Sequence, residues 1–293
     1  MSAETNREQI HEREFEREKV KKAFAEFNLN FKIEKYPELI ERLADIGEHF
    51  HDAVEMARMM EMLWPIFKER LKLEDADKDD VITATLLHDI GKSGPWAMTN
   101  ESAGRAMMKN LFPHKFLPGI DTFGKLVEVS GLKLKEIVDE LPRNVELYAS
   151  MPATDFWRYH VDWTYDILKQ EQVPKKIVDI AASHHVLEGK NPAHIPPEEI
   201  PYSAQAVEIV DNYHTHSYDV LAIIDKYQAI RERKHQKKHD DIVLELARMI
   251  ERSKYSPDVK ERYYEILDIF ADNEDLINAA LKRNGDNSKD IAA

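Results

Sequence analysis

Apolar residues recur at spacings of three and four along almost all of this chain, and period-two alternation is almost absent. That spacing gives each segment one apolar helical stripe and leaves little that reads as a half-buried strand. Glycine, a principal breaker of helices, is scarce at 9 residues. The expected fold class is therefore all-α. The periodic stretches are 4–27, 37–63, 78–90, 158–170, 174–185, 201–228, 238–252, 256–271 and 274–283. Residues 93–157 are irregular, broken by Pro95, Pro113, Pro118, Pro142 and Pro152, with room for one or two short helices over 122–139. The proline-rich stretch 189–201 reads as a loop, and the polar tail 284–293 as a fraying end.

A chain of 293 residues can bury a sizeable core, and its 33% charged residues belong mostly on solvent faces. The net charge of −14 leaves no basic footprint for a nucleic-acid polymer. It is compatible with a small phosphorylated substrate, because a metal site brings its own positive charge. With no cysteine, any metal falls to His, Asp and Glu. No apolar run follows a basic start, and none approaches the ~20 residues of a membrane span, so a cytoplasmic protein is expected. The helix at 4–27 carries Phe15, Val20, Phe24 and Phe27 on one stripe. Packing on its own domain is the reading taken, and a regulatory arm or a homodimer contact stays open.

The stretch Leu86-Leu87-His88-Asp89-Ile90-Gly91-Lys92 places two metal-ligand types directly after an apolar run. Elsewhere stand His49, His160, His184, His185 and Asp211. Five imidazoles and two carboxylates suit Mn, Fe, Co, Ni or Zn better than Ca or Mg alone. Seven ligands are too many for one tetrahedral ion and enough for two. Neighbouring side chains near a helix end diverge by about 100°, so Asp89 can bridge two ions while His88 binds one. The same holds for His184 and His185. Asp45, four residues before His49 on one helical face, would add a carboxylate and room for a third ion. Lys92 lies within reach of a substrate phosphate oxygen. Trp157, Tyr159, Trp163 and Tyr165 flank His160, where base stacking and core packing are equally served. His214 and His216 read equally as substrate or supporting contacts and as packed residues. His194 and the basic run 231–239 read as solvated, as do His11, His114, His235 and His239.

On these residues the chain resembles the HD superfamily of metal-dependent phosphohydrolases. Within it, the chain is most similar to the HD-GYP branch, whose members hydrolyse cyclic dinucleotides. His49 fits the first position, with Ala53, Val54, Met56 and Ala57 at the following apolar offsets; the competitor His51 meets Glu55 and Arg58 instead. Residues 86–92 match almost letter for letter. His160 is followed by Thr164, Ile167 and Leu168, which fit the small residue and the apolar pair expected there. Ser183-His184-His185 fits the histidine pair, Glu208-Ile209-Val210-Asp211 the lead-in to the last aspartate, and Asp45 the extra carboxylate of members with three metals. The similarity covers about residues 40–250. It departs at Val186, where a Glu is usual, and at Gly189-Lys190-Asn191-Pro192, where Gly-Tyr-Pro is usual. The Arg usual after the last Asp is missing, and the segment from Asp89 to His160 is long.

The resemblance implies an HD-domain helical bundle with a metal site in its core. It would comprise an N-terminal charged helix (1–36), a catalytic domain (37–252) whose 93–157 insert acts as a cap, and C-terminal helices with a tail (253–293). It implies a phosphohydrolase or phosphodiesterase that cleaves a nucleotide-like phosphate ester with a metal-activated hydroxide. The implied metal ligands are Asp45, His49, His88, Asp89, His160, His184, His185 and Asp211, holding two or three divalent transition-metal ions. Fe or Mn comes first, then Ni, Co or Zn. Asp89 would bridge and orient, and Lys92 would steady a phosphoryl oxygen. The implied partner is a small nucleotide-like phosphate, with no nucleic-acid polymer and no membrane. The alternative is a non-catalytic, metal-containing signalling or binding protein derived from a cyclic-dinucleotide phosphodiesterase.

Overall fold

The computed structural model describes residues 3–97, 119–135, 148–188, 215–233, 237–253 and 255–287, with 105, 108, 111 and 137 as isolated positions. Among these residues there are eleven α-helices: α1 (Ala3–Glu26), α2 (Pro37–Ile46), α3 (Glu48–Arg70), α4 (Asp75–Leu87), α5 (Phe123–Val129), α6 (Ala153–Gln170), α7 (Lys175–Ala182), α8 (Thr215–Arg233), α9 (His239–Arg252), α10 (Pro257–Asp272) and α11 (Glu274–Asn287). The one isolated β-bridge among them joins Thr122 to Pro152. The all-α expectation is met. No described helix is long and apolar enough to cross a membrane.

Several boundaries differ from the sequence reading for local reasons. The stretch 37–63 is two helices, because Gly47 adopts φ +49° and ends α2 before α3 begins. Helix α4 starts earlier than expected and stops at Leu87, so the His-Asp dyad lies in a turn ahead of a 3-10 turn, Ile90–Ser93. Helix α6 begins directly after Pro152, five residues ahead of the expected start. Helix α7 ends at Ala182, which leaves His184 and His185 beyond it. Helix α11 runs on to Asn287, into the expected tail. Of the expected helix 201–228, residues 201–214 lie outside the described residues.

The chain divides into two units, each discontinuous in sequence: residues 1–50 with 87–178, and residues 51–86 with 179–293. In the first, α1 packs on α2 through Val20, Phe24 and Phe27, all buried, and Phe24 stacks on Phe50 with ring centroids 6.4 Å apart. The apolar stripe of α1 thus packs within its own unit, except Phe15, which is exposed. Phe123 of α5 meets Phe156 of α6 at 4.5 Å. Trp163 is buried and stacks on Tyr159, so packing takes up this aromatic pair.

In the second unit, α8 is the central element. It presents Val220, Leu221, Ile224 and Tyr227, all buried, and packs against α9 and α10. Asp219 of α8, fully buried, accepts from Arg262 Nε at 3.1 Å. Ser256 caps α10 by accepting from the Val259 amide, and Pro257 occupies its first turn. His239 is not a surface residue as the sequence suggested. It is buried at the start of α9, with its Nδ1 2.8 Å from the Tyr227 hydroxyl. Burial pushes that phenol up to about 12. It stays protonated and shares a hydrogen bond with the imidazole.

Candidate metal centre

The first unit gathers His49, His88, Asp89, Lys92 and His160 around one carboxylate. The placement begins with how the dyad turn meets α6. The amide of Gly91 donates to Thr164 Oγ1 at 3.0 Å, and the Thr164 hydroxyl donates to the His88 carbonyl at 2.8 Å. A Cβ on Gly91 would stand 1.9 Å from the His160 carbonyl oxygen and 2.6 Å from the Thr164 nitrogen. Only glycine permits that approach. The turn is therefore pressed onto α6 one helical turn from His160.

This docking brings two imidazoles to one carboxylate. His88 Nε2 lies 3.4 Å from Asp89 Oδ2, and His160 Nε2 lies 3.3 Å from Asp89 Oδ1. Two ligand atoms on one ion, each bonded at ~2.1 Å, stand about 3.0 Å apart at a right angle and about 3.4 Å apart at a tetrahedral angle. Both separations fall in that range, and they use opposite oxygens of Asp89. The other nitrogen of His160, Nδ1, meets the Trp157 carbonyl, which can only accept, so Nδ1 carries the proton. Burial pushes the His160 imidazole down from its ordinary value, an effect that its bond to Asp89 opposes. With Nδ1 turned to that carbonyl, Nε2 is the nitrogen that faces the Asp89 carboxylate. An imidazole oriented in this way by a backbone carbonyl is the usual form of a metal ligand.

The charge balance of the pocket fits the same chemistry. His88, Asp89, Lys92 and His160 are all buried. Burial alone pushes the Asp89 carboxyl up. The Lys92 ammonium, with His88 and His160, outweighs it and holds the group well below the usual carboxylate range. Lys92 Nζ contacts Asp89 Oδ2 and lies 3.4 Å from His49 Nδ1, which must accept because an ammonium only donates. His49 is half-buried, whereas the competing His51 is 61% exposed and faces Glu55.

Not every expected residue joins this group. Asp45 and His49 do not share a helical face, because Gly47 separates α2 from α3. The Asp45 carboxylate instead contacts Arg105 and lies 3.9 Å from Arg13. Asp211, His194 and His214, with the Gly189-Lys190-Asn191-Pro192 segment, lie outside the described residues, as do the side chain of His216 and much of the 93–157 insert.

The second unit holds the histidine pair. His184 is fully buried and its Nδ1 donates to the Ala181 carbonyl at 2.7 Å, the same backbone orientation as His160. Its ring lies 4.4 Å from that of His185. His185 Nδ1 lies 4.0 Å from Asp225 Oδ2. The described imidazoles that could serve a metal include His160 in the first unit and His184 and His185 in the second. Val186, where a Glu was expected, is fully buried, and its carbonyl accepts from the Tyr255 hydroxyl.

Two residues escaped the sequence reading. Asp225 follows the apolar run Ala222-Ile223-Ile224, much as Asp211 follows Ile209-Val210, and the sequence reading did not single it out. Arg42 sits in the apolar pattern of α2, and its role depends on contacts distant in sequence. It is fully buried and donates to Ser93 Oγ and to the carbonyls of Gly94, Pro95 and Trp96, at 3.0 to 3.3 Å, and to Glu38 at 2.7 Å. Burial, with Arg105 nearby, brings its guanidinium down to about 10, still charged at neutral pH. It clamps the segment that follows Lys92. Arg42→Met is expected to lower stability in urea by about 3 kcal/mol, since it strips a buried charge from its partners. An unchanged unfolding midpoint would mean that the loop holds without the clamp.

No family model matches the chain, and no curated protein or solved structure does either.

Proposed function

We propose that this chain is a metal-dependent phosphohydrolase of the HD type, acting on a small nucleotide-like phosphate ester. The observation that carries the reading is the buried Asp89 carboxylate, with an imidazole Nε2 within 3.4 Å of each of its two oxygens. His49, His88, Asp89 and His160 are the residues that would hold a divalent cation in the first unit. His184, His185 and Asp225 would supply a second imidazole and carboxylate set, beside Asp211, which the resemblance implies as a further ligand. The nitrogen-rich donor set favours first-row transition metals over Ca or Mg; within that group the family resemblance puts Fe or Mn first and Ni, Co or Zn after them.

Bound there, the cations supply a water of lowered pKa and positive charge for the phosphoryl oxygens. The protein's own part is positional. Asp89 fixes His88 and His160 relative to each other, and the Trp157 and Ala181 carbonyls hold His160 and His184 in one tautomer. Lys92, ammonium-bearing and next to Asp89, is the group that would bind a non-bridging phosphate oxygen. With no cysteine in the chain and the acidic groups of the site taken up as ligands, no side-chain nucleophile is assigned.

The test is elemental analysis of the purified protein beside hydrolysis of bis-p-nitrophenyl phosphate with added Mn²⁺ or Fe²⁺. The expected result is about two or three equivalents of transition metal with turnover. Bound metal without turnover on any phosphodiester or nucleotide would transfer support to the non-catalytic reading. No metal under any condition would overturn the proposal.

A further inference from the structure

A threonine inside a helix ordinarily turns its hydroxyl back onto the carbonyl four residues earlier. Thr85 does so in α4, donating to the Val81 carbonyl at 2.8 Å. Thr164 in α6 makes a different choice. The carbonyl four residues before it belongs to His160 and is closely approached by Gly91. The Thr164 hydroxyl instead leaves its own helix, donates to the His88 carbonyl and accepts from the Gly91 amide. Thr164 is fully buried, so no water can take over either bond.

The two backbone groups it holds bracket Asp89. The His88 carbonyl lies on one side and the Gly91 amide on the other, while His160 lies one turn earlier on the helix that carries the hydroxyl. From this geometry we infer that Thr164 is a positioning residue: its single hydroxyl sets the register between the dyad turn and α6, so that His88 and His160 address opposite oxygens of Asp89. The inference rests on the proposed metal-dependent function and extends it to a residue that touches neither metal nor substrate. The sequence pattern required only a small residue here; the structure gives its hydroxyl two backbone partners.

The experiment compares Mn²⁺ binding by wild type, Thr164→Val, Thr164→Ala and Thr164→Ser, by titration at a temperature where each is folded. Amide hydrogen exchange at Gly91 is measured alongside. Valine keeps the shape and loses the hydroxyl, alanine loses both, and serine keeps the hydroxyl. The expected result is Mn²⁺ binding about 10- to 100-fold weaker in the valine and alanine variants, near wild type in serine, with Gly91 protection lost and kept in the same order. If valine does not fold, alanine against serine decides. A purely structural role would lower the melting temperature of a variant without separating those that keep the hydroxyl from those that lose it in Mn²⁺ affinity. Equal Mn²⁺ affinity in alanine and serine would overturn the inference and leave the metal reading intact. Absence of Mn²⁺ binding by wild type would overturn the metal reading, and this inference with it.

Discussion

Replacing Asp89 with alanine is expected to abolish metal uptake and hydrolysis together. Two imidazoles lose the carboxylate between them, and Lys92 loses its buried counter-charge. Losing a partner of a ligand typically costs about 10- to 100-fold. Losing a ligand that addresses both imidazoles should cost more, so activity should fall well beyond about 100-fold. The metal-free protein should also lose stability, by about 3–5 kcal/mol, because an ammonium is left buried and unopposed. Adding Lys92→Met to Asp89→Ala should restore part of that stability and none of the metal binding. Denaturant melts and metal analysis of the single and double variants read both effects. Full activity in Asp89→Ala would show that the chemistry lies elsewhere.

The second large effect is expected from Gly91→Ala. One methyl group there would meet the His160 carbonyl at 1.9 Å, and this neighbour is backbone, which cannot swing aside. The turn and α6 must separate, at a cost at the upper end of core overpacking, about 3 kcal/mol or more. Separation also moves Asp89 away from His160, so metal binding should weaken with stability. Gly131→Ala is the control. Gly131 has φ +68° and open space around its Cβ position, so only backbone strain of about 1 kcal/mol is expected. Thermal melts of the two variants compare them directly, and equal effects would contradict the close approach of turn and helix.

The residues of the site were legible in the sequence to the extent that their signals were local. The dyad and its glycine are contiguous, and the structure gives Gly91 a steric reason to be glycine. The start of α10 was readable from the Ser256-Pro257 pair, which combines a capping hydroxyl with a residue suited to a first turn. Spacing failed where the backbone broke inside an apolar pattern. Gly47 leaves the three-and-four repeat of 37–63 undisturbed, yet its positive φ ends a helix there, and with it the shared face of Asp45 and His49. The roles of Arg42 and of the Thr164 hydroxyl were unreadable for a different reason. Each acts on backbone atoms more than 50 residues away, at 94–96 and at 88–91, and backbone leaves no mark in side-chain composition.

The interleaving of the two units bears on how the protein is made. A ribosome delivers residues 1–50 first, then 51–86, which belong to the other unit, and only afterwards the dyad and α6 that complete the first. Domain-by-domain closure from the amino terminus, the common course for nascent chains, is not open to it. Helix α3 must wait for α8 and α10: Glu55 meets Gln228, 173 residues later, and Phe67 meets Phe270.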